Sequence, residues 1–300
     1  MPSKVGFIGL GRMGSPMARN LQNKGFNVVG YDANPEAVSA LTQTGAVGAA
    51  SIEEAVLGSQ FIFTMLPTSK DVFGIAADHI VKHAAPRAIV VDMSTIDPLV
   101  TDEVAALLAA ENIRFADAPV GRLASHADRG DSLFMVGASE EVFADITPML
   151  QAMGSTIHHC GRVGMGIRMK IVNNYLAIAS CQLNAETLTL AARFGLDLEL
   201  TIEVLNGTTA NNGHLKTNFP LKVLIGDTEP GFQIDLAHKD LGFALSAAAA
   251  MQVPLSMGSA ARECLQIARS RGLGKKDFSG LLDAWCAIAG VTPPRLRRSR

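Results

Sequence analysis

Residues 5–21, VGFIGLGRMGSPMARNL, decide the fold. A β-branched and aromatic run leads into Gly9-x-Gly11-x-x-Gly14, and an amphipathic helical pattern follows at once. Glycine is required where such a turn is tight, where backbone approaches a pyrophosphate, and where helix packs closely on strand. The first amides of the following helix then point at the phosphates. With 28 glycines in 300 residues the spacing alone arises by chance, so the flanking strand and helix carry the inference.

A second run, NVVGYD, ends in Asp32, at roughly the twenty-residue separation expected of a carboxylate that accepts both ribose hydroxyls of a dinucleotide. A carboxylate there repels a 2′-phosphate, and YDANPEAV supplies no arginine to receive one, so NAD(H) is expected over NADP(H). Leu66 and Pro67 end the run QFIFTML, and Ser94 and Thr95 end AIVVDMS. Both pairs fall at the carboxyl edge of the expected sheet, where open α/β folds bind ligands.

Outward from this core the chain changes character half-way along. Strand-like runs alternate with helical patterns up to RFADAPV and DSLFMVGA, which predicts an α/β fold with a doubly wound parallel sheet. From VGMGIRMKIVNNYLAIASCQL onward the strand signals stop and Ala/Leu-rich helical periodicity takes over. The reading is a Rossmann domain over 1–162, an all-α domain over 163–292, and a frayed basic tail over 293–300, with one long helix joining the domains. Hydrophobic residues make up 48% of the chain, ample for two cores, and the net charge of −2 offers no field for nucleic acid or an anionic membrane. The four scattered cysteines and the HHC run at 158–160 lack metal-ligand spacing, so no metal is expected. No charge-free apolar run is long enough to span a bilayer, and the amino terminus does not resemble a signal peptide, so a cytoplasmic location is expected.

Two groups of residues point to chemistry. On the joining helix Lys170, Asn173, Asn174 and Ala177 follow at i, i+3, i+4 and i+7, so one stripe of an apolar helix presents an ammonium and two carboxamides. Asparagine is a poor mid-helix residue, and its presence there requires a reason. Hydride transfer to an aldehyde leaves an alkoxide, which a neighbouring lysine can protonate. Lys170 is therefore the expected general acid, with Asn174 one turn on holding lysine or substrate. Lys239 and Asp240 open a later helix, in HKDLGFAL. The second group is Arg122, between Gly121 and Leu123: either a surface ion pair with Asp128 or Asp131, or an anchor for an anionic ligand.

Taken in order, GFIGLGRMGSPMARNL, DMSTIDP, DAPV followed by MVG, GMGIRMKIVNNY and HKDLGFAL resemble the β-hydroxyacid dehydrogenase family, typified by 3-hydroxyisobutyrate dehydrogenase, over residues 4–290. The resemblance implies a Rossmann domain, a helical domain, a cleft between them, and a homodimer or homotetramer. It implies cofactor contacts from Gly9, Gly11, Arg12, Met13, Gly14, Asp32, Leu66, Pro67, Thr95 and Lys239, with Lys170 catalytic. Substrate contacts are expected from Ser94, Gly121, Arg122, Asn173, Asn174, Tyr175, Leu176 and Ala177.

One departure matters. Ordinary members read PVSGG where this chain reads Pro119-Val120-Gly121-Arg122-Leu123. PVGR looks most like the 3-sulfolactaldehyde reductases, which implies NADH-dependent reduction of 3-sulfolactaldehyde to 2,3-dihydroxypropane-1-sulfonate, with Arg122 gripping the sulfonate. In that subfamily a serine stands where this chain has Ala177. The alternatives are a relative acting on 3-hydroxyisobutyrate, tartronate semialdehyde or succinic semialdehyde, and a non-catalytic NAD-binding module. The non-catalytic relatives lack the lysine that is present here as Lys170.

Overall fold

A computed structural model describes residues 4–297, and the chain divides into two compact units between Lys170 and Ile171. The first unit is built on nine strands: β1 (Lys4–Ile8), β2 (Asn27–Tyr31), β3 (Val47–Gly48), β4 (Phe61–Thr64), β5 (Ile89–Asp92), β6 (Arg114–Asp117), β7 (Val120–Gly121), β8 (Ser132–Gly137) and β9 (Gly154–Gly161). Strands β3, β2, β1, β4, β5 and β6 lie side by side, every pair parallel. Helices cover both faces, so the strands are apolar at nearly every position. Val5, Phe7, Phe61, Phe63, Ile89 and Val91 enter one core, while Ile8, Ile62 and Val90 enter the other. This is the doubly wound sheet that the alternating pattern predicts.

The parallel run ends at β6. Strand β8 is antiparallel to it and to β7, which continues the register of β6 past Pro119 (Asp117↔Gly137, Val120↔Phe134, Gly121↔Leu133). The connection from Gly121 to Ser132 holds only the short helix Ala124–Asp128, too little chain for a parallel crossover, so the strand must return antiparallel. Strand β9 then adds parallel to β8 and contains the HHC run.

The long helix spans Met165–Phe194. Its start is pressed against the sheet: a Cβ on Gly166 would lie 2.2 Å from the Met135 carbonyl oxygen, so only glycine permits the approach. Beyond Ile171 the second unit contains the rest of that helix and Leu198–Asn206, Ile234–Ala250, Ser256–Ser270 and Leu281–Ala289, around a core that includes Ile178, Leu188, Phe219, Leu241, Leu265 and Leu281. Among its described residues the β pairing is a single bridge, Gln233 to Asp277. Residues 293–297 of the expected tail lie along this unit: Arg295 pairs with Asp283 through both carboxylate oxygens at 2.8 Å, and the Leu296 amide donates to the Leu224 carbonyl. Residues 298–300 lie outside the described residues. No described helix is long and apolar enough to cross a membrane, and no group of three His, Cys, Asp or Glu side chains among the described residues could hold a metal ion.

Candidate active site

The glycine loop follows β1 and feeds the helix Gly14–Asn23. Gly9 has φ +97°, and a Cβ on Gly14 would meet the Gly9 carbonyl oxygen at 1.9 Å, so the loop closes only with glycine at both ends. A Cβ on Gly11, by contrast, would meet nothing within 4 Å. That helix also begins without a side-chain cap, whereas Asn34, Ser51, Thr68, Asp97 and Ser139 cap five other helices of the same unit. Open space over a glycine beside uncapped helix amides is what a pyrophosphate requires. Arg12 is exposed and Met13 half-buried in the same loop.

Asp32 is held at the end of β2 by two backbone amides, Leu10 N to Oδ2 at 2.6 Å and Asn34 N to Oδ1 at 2.8 Å. The first of these bonds ties the carboxylate to the glycine loop itself. The carboxylate and the glycine loop are thus fixed to one another, an arrangement that would fit the ribose and phosphates of a dinucleotide.

At the ends of β4 and β5, Leu66 and Thr95 are half-buried and Pro67 is exposed. Ser94 is 2% exposed; its hydroxyl donates to Asp92 at 2.6 Å, and it accepts from the Leu66 amide at 2.9 Å. A hydroxyl spent twice inside the sheet edge fixes the Leu66 loop and offers no donor to a ligand.

Lys170 is half-buried, and its Nζ donates to the Val120 carbonyl on β7 at 2.7 Å. Two contacts fix the turn that carries it. Arg168 forks onto both oxygens of Asp102, at 3.1 and 2.7 Å. The buried Asp117 carboxylate accepts from Gly164 N and Ile167 N, each at 2.6 Å, so it caps the helix where backbone donors are otherwise orphaned. Asp117 was not among the expected site residues, because sequence order hides that the carboxylate of DAPV meets the amides of GMGI.

Burial pushes the Asp117 carboxyl up to about 6, against the pull of the two amide bonds, from an ordinary 3.8. The sign follows from proton uptake: between those values the folded chain holds a proton that the unfolded chain has released. Stability from this group is therefore complete below about pH 4 and is lost as pH rises through 6, by up to about 3 kcal/mol. Asp117→Asn removes the ionisation, so the Tm difference between wild type and variant should shift toward wild type as pH falls from 7 to 4.5. Parallel Tm profiles would contradict this assignment.

In the second unit Asn174 is 6% exposed. Its Nδ2 donates to Asp240 Oδ2 at 2.8 Å, and its Oδ1 accepts from Asn173 at 3.0 Å. Asp240 also pairs with Lys239 at 3.3 Å, and the Lys239 ammonium lies 5.4 Å from the Phe243 ring centre. The structure thus joins Asn173, Asn174, Asp240 and Lys239 in one polar chain, in which Asp240 is the orienting member. Ala177 contributes its carbonyl to His214 Nε2 at 2.7 Å. Tyr175 packs on Gly258, where a Cβ would meet its ring at 2.4 Å, so it serves the helical core. Leu176 is 67% exposed and, about 200° around the helix from Asn174, belongs to an apolar stripe with Val172, Leu183 and Leu190.

Gly121 is buried on β7 against Leu133. Arg122 follows with φ +70°, a left-handed backbone rare outside glycine. Its guanidinium donates from Nη1 to the Asp131 carbonyl at 2.8 Å, to Asp131 Oδ1 at 2.6 Å and to Ser155 Oγ at 3.0 Å, and from Nη2 to Thr156 Oγ1 at 3.0 Å. Of the two ion pairs open to it from sequence, the Asp131 pair is the one formed. Asp128 pairs with Arg19 instead.

Residues 4–161 match the family described as the NAD binding domain of 6-phosphogluconate dehydrogenase, and residues 164–285 match that described as NAD-binding of NADP-dependent 3-hydroxyisobutyrate dehydrogenase. The chain is 42% identical to a 3-sulfolactaldehyde reductase of Escherichia coli (strain K12) over 290 residues, covering 96% of this chain and 97% of that one. It is 35% identical to a 2-(hydroxymethyl)glutarate dehydrogenase of Eubacterium barkeri, covering 96% and 97%. Among solved structures, a Mycobacterium tuberculosis 3-hydroxyisobutyrate dehydrogenase with L-serine superposes with TM-score 0.87 at 32% identity, covering 95% of this chain and 99% of that one. With the glycine loop, the Asp32 carboxylate and the lysine-bearing helix all in hand, the chain belongs to the β-hydroxyacid dehydrogenase family, as an oxidoreductase that uses a nicotinamide dinucleotide.

Proposed function

We propose that this enzyme reduces 3-sulfolactaldehyde to 2,3-dihydroxypropane-1-sulfonate with NADH. The observation that carries the reading is that two cations converge on the end of β7: the Lys170 ammonium of the long helix bonds the Val120 carbonyl, and Arg122 follows directly after Gly121. An aldehyde with an anionic tail needs both, a proton donor at one end and a cation at the other. Arg122 keeps a left-handed backbone that costs about 1–2 kcal/mol relative to glycine, and a position that retains a strained arginine is a candidate for function.

The bound dihydronicotinamide supplies the hydride. Lys170 polarises the aldehyde oxygen and donates the proton that the resulting alkoxide needs, which completes the alcohol. The planar fork of a guanidinium suits a sulfonate, which stays anionic at physiological pH. Asn173 and Asn174 are assigned to the substrate's polar groups, Thr95 and Lys239 to the cofactor.

Asp32 sets the choice of dinucleotide. Its carboxylate would repel a 2′-phosphate, and no Lys or Arg occurs from Ala33 to Val38 to receive one. With 3-sulfolactaldehyde as substrate, kcat/KM for NADH should exceed that for NADPH by about a hundredfold, equivalent to roughly 2.7 kcal/mol. Equal or greater efficiency with NADPH would overturn the cofactor assignment, and no oxidation of either would overturn the substrate.

A further inference from the structure

We propose that Asp131 is a resident counter-ion that competes with the anionic tail of the substrate for Arg122, and so sets the KM for anionic aldehydes. The proposal rests on the reading of Arg122 given above. The Nη1 group is shared among three oxygens of the first unit, the Asp131 carbonyl and carboxylate and the Ser155 hydroxyl, while Nη2 reaches Thr156. Ser155 also donates to Asp131 Oδ1, so arginine, carboxylate and hydroxyl form one closed group. The arginine and aspartate side chains are 31% and 39% exposed, within reach of an anion from solvent.

The Ser155 hydrogen bond, then the Arg122 charge among the smaller causes, holds the Asp131 carboxyl below its ordinary range. A full negative charge therefore sits on the guanidinium before substrate arrives. An incoming sulfonate carries the same charge and seeks the same donors, so binding is an exchange of one anion for another. Ser155 and Thr156 are neutral and remain as acceptors, which keeps the arginine in place after Asp131 is displaced.

Asp131→Asn tests this directly, because it retains size and a carbonyl acceptor while removing the competing charge. The expected result is a KM for 3-sulfolactaldehyde lowered roughly three- to tenfold with kcat within about twofold, and no change for uncharged glyceraldehyde. Competitive inhibition by methanesulfonate should strengthen by the same factor. Damage to the loop does not improve affinity, so a gain confined to anions separates competition from a structural effect. Asp131→Ser, which removes the charge with a smaller side chain, should act in the same direction and serves if the asparagine variant does not fold. An unchanged or raised KM in these variants, with Arg122→Ala still raising KM, overturns the competition alone. If Arg122→Ala also leaves KM unaltered, the assignment of Arg122 falls and this proposal falls with it.

Discussion

Lys170→Ala is expected to lower kcat by about 10²–10⁴, the range contributed by a positioned general acid, while NADH binding persists. The two effects separate because the residues assigned to the dinucleotide are built without the lysine. Asp32 is fixed by Leu10 and Asn34, and the glycine loop by its own steric closure. Lysine supplies something else, an ammonium held against Val120 by a helix start that Asp117 caps and Arg168 clamps to Asp102. Without it, the alkoxide must draw its proton from water. Lys170→Arg keeps the charge but not a donor of suitable acidity, and its wider, planar group suits a different geometry, so it should recover little. Titration of NADH fluorescence alongside steady-state rates checks both halves. A Lys170→Ala enzyme within tenfold of wild type would remove the lysine from the chemistry.

Arg122→Ala should raise KM for anionic aldehydes about ten- to a hundredfold, since hydrogen bonds to charged groups contribute roughly 1.5–3 kcal/mol and 1.4 kcal/mol is a factor of ten. An uncharged aldehyde of similar size should be used equally well by variant and wild type. The fold should survive, because what is lost is partly exposed: an ion pair worth about 0–1 kcal/mol and hydrogen bonds to the Asp131 carbonyl, Ser155 and Thr156. Arg122→Gly provides a sharper control: it deletes the guanidinium and also relieves the left-handed backbone at φ +70°. This variant should be as stable as wild type and as poor in binding anions as the alanine variant. Thermal melts beside KM values distinguish these effects, and a glycine variant with undiminished affinity for anions would contradict the anchor.

The parts legible in sequence were those set by local pattern. Gly9, Gly11 and Gly14 between strand and helix, Asp32 at the end of β2, and the i, i+3, i+4 stripe on the long helix are each carried by one continuous stretch. What escaped depends on contacts between distant stretches. The cap of Asp117 on Gly164 and Ile167, and the link of Asp240 to Asn174, join segments that no periodicity connects. The contacts of Ser94 and Tyr175 were hidden for the same reason: one spends its hydroxyl on Asp92 and Leu66 and the other packs on Gly258. Strand β8 was legible as a strand but not in direction, because its side-chain pattern is the same in either orientation while the short connection from β7 dictates the return.

The most direct measurement is kcat/KM of the wild-type enzyme with NADH for 3-sulfolactaldehyde against tartronate semialdehyde and succinic semialdehyde under identical conditions. The account predicts that the sulfonate is preferred by at least about tenfold, equivalent to 1.4 kcal/mol of differential transition-state binding. Equal or better efficiency with either carboxylate would contradict it, and Arg122 would then be an anchor for carboxylates.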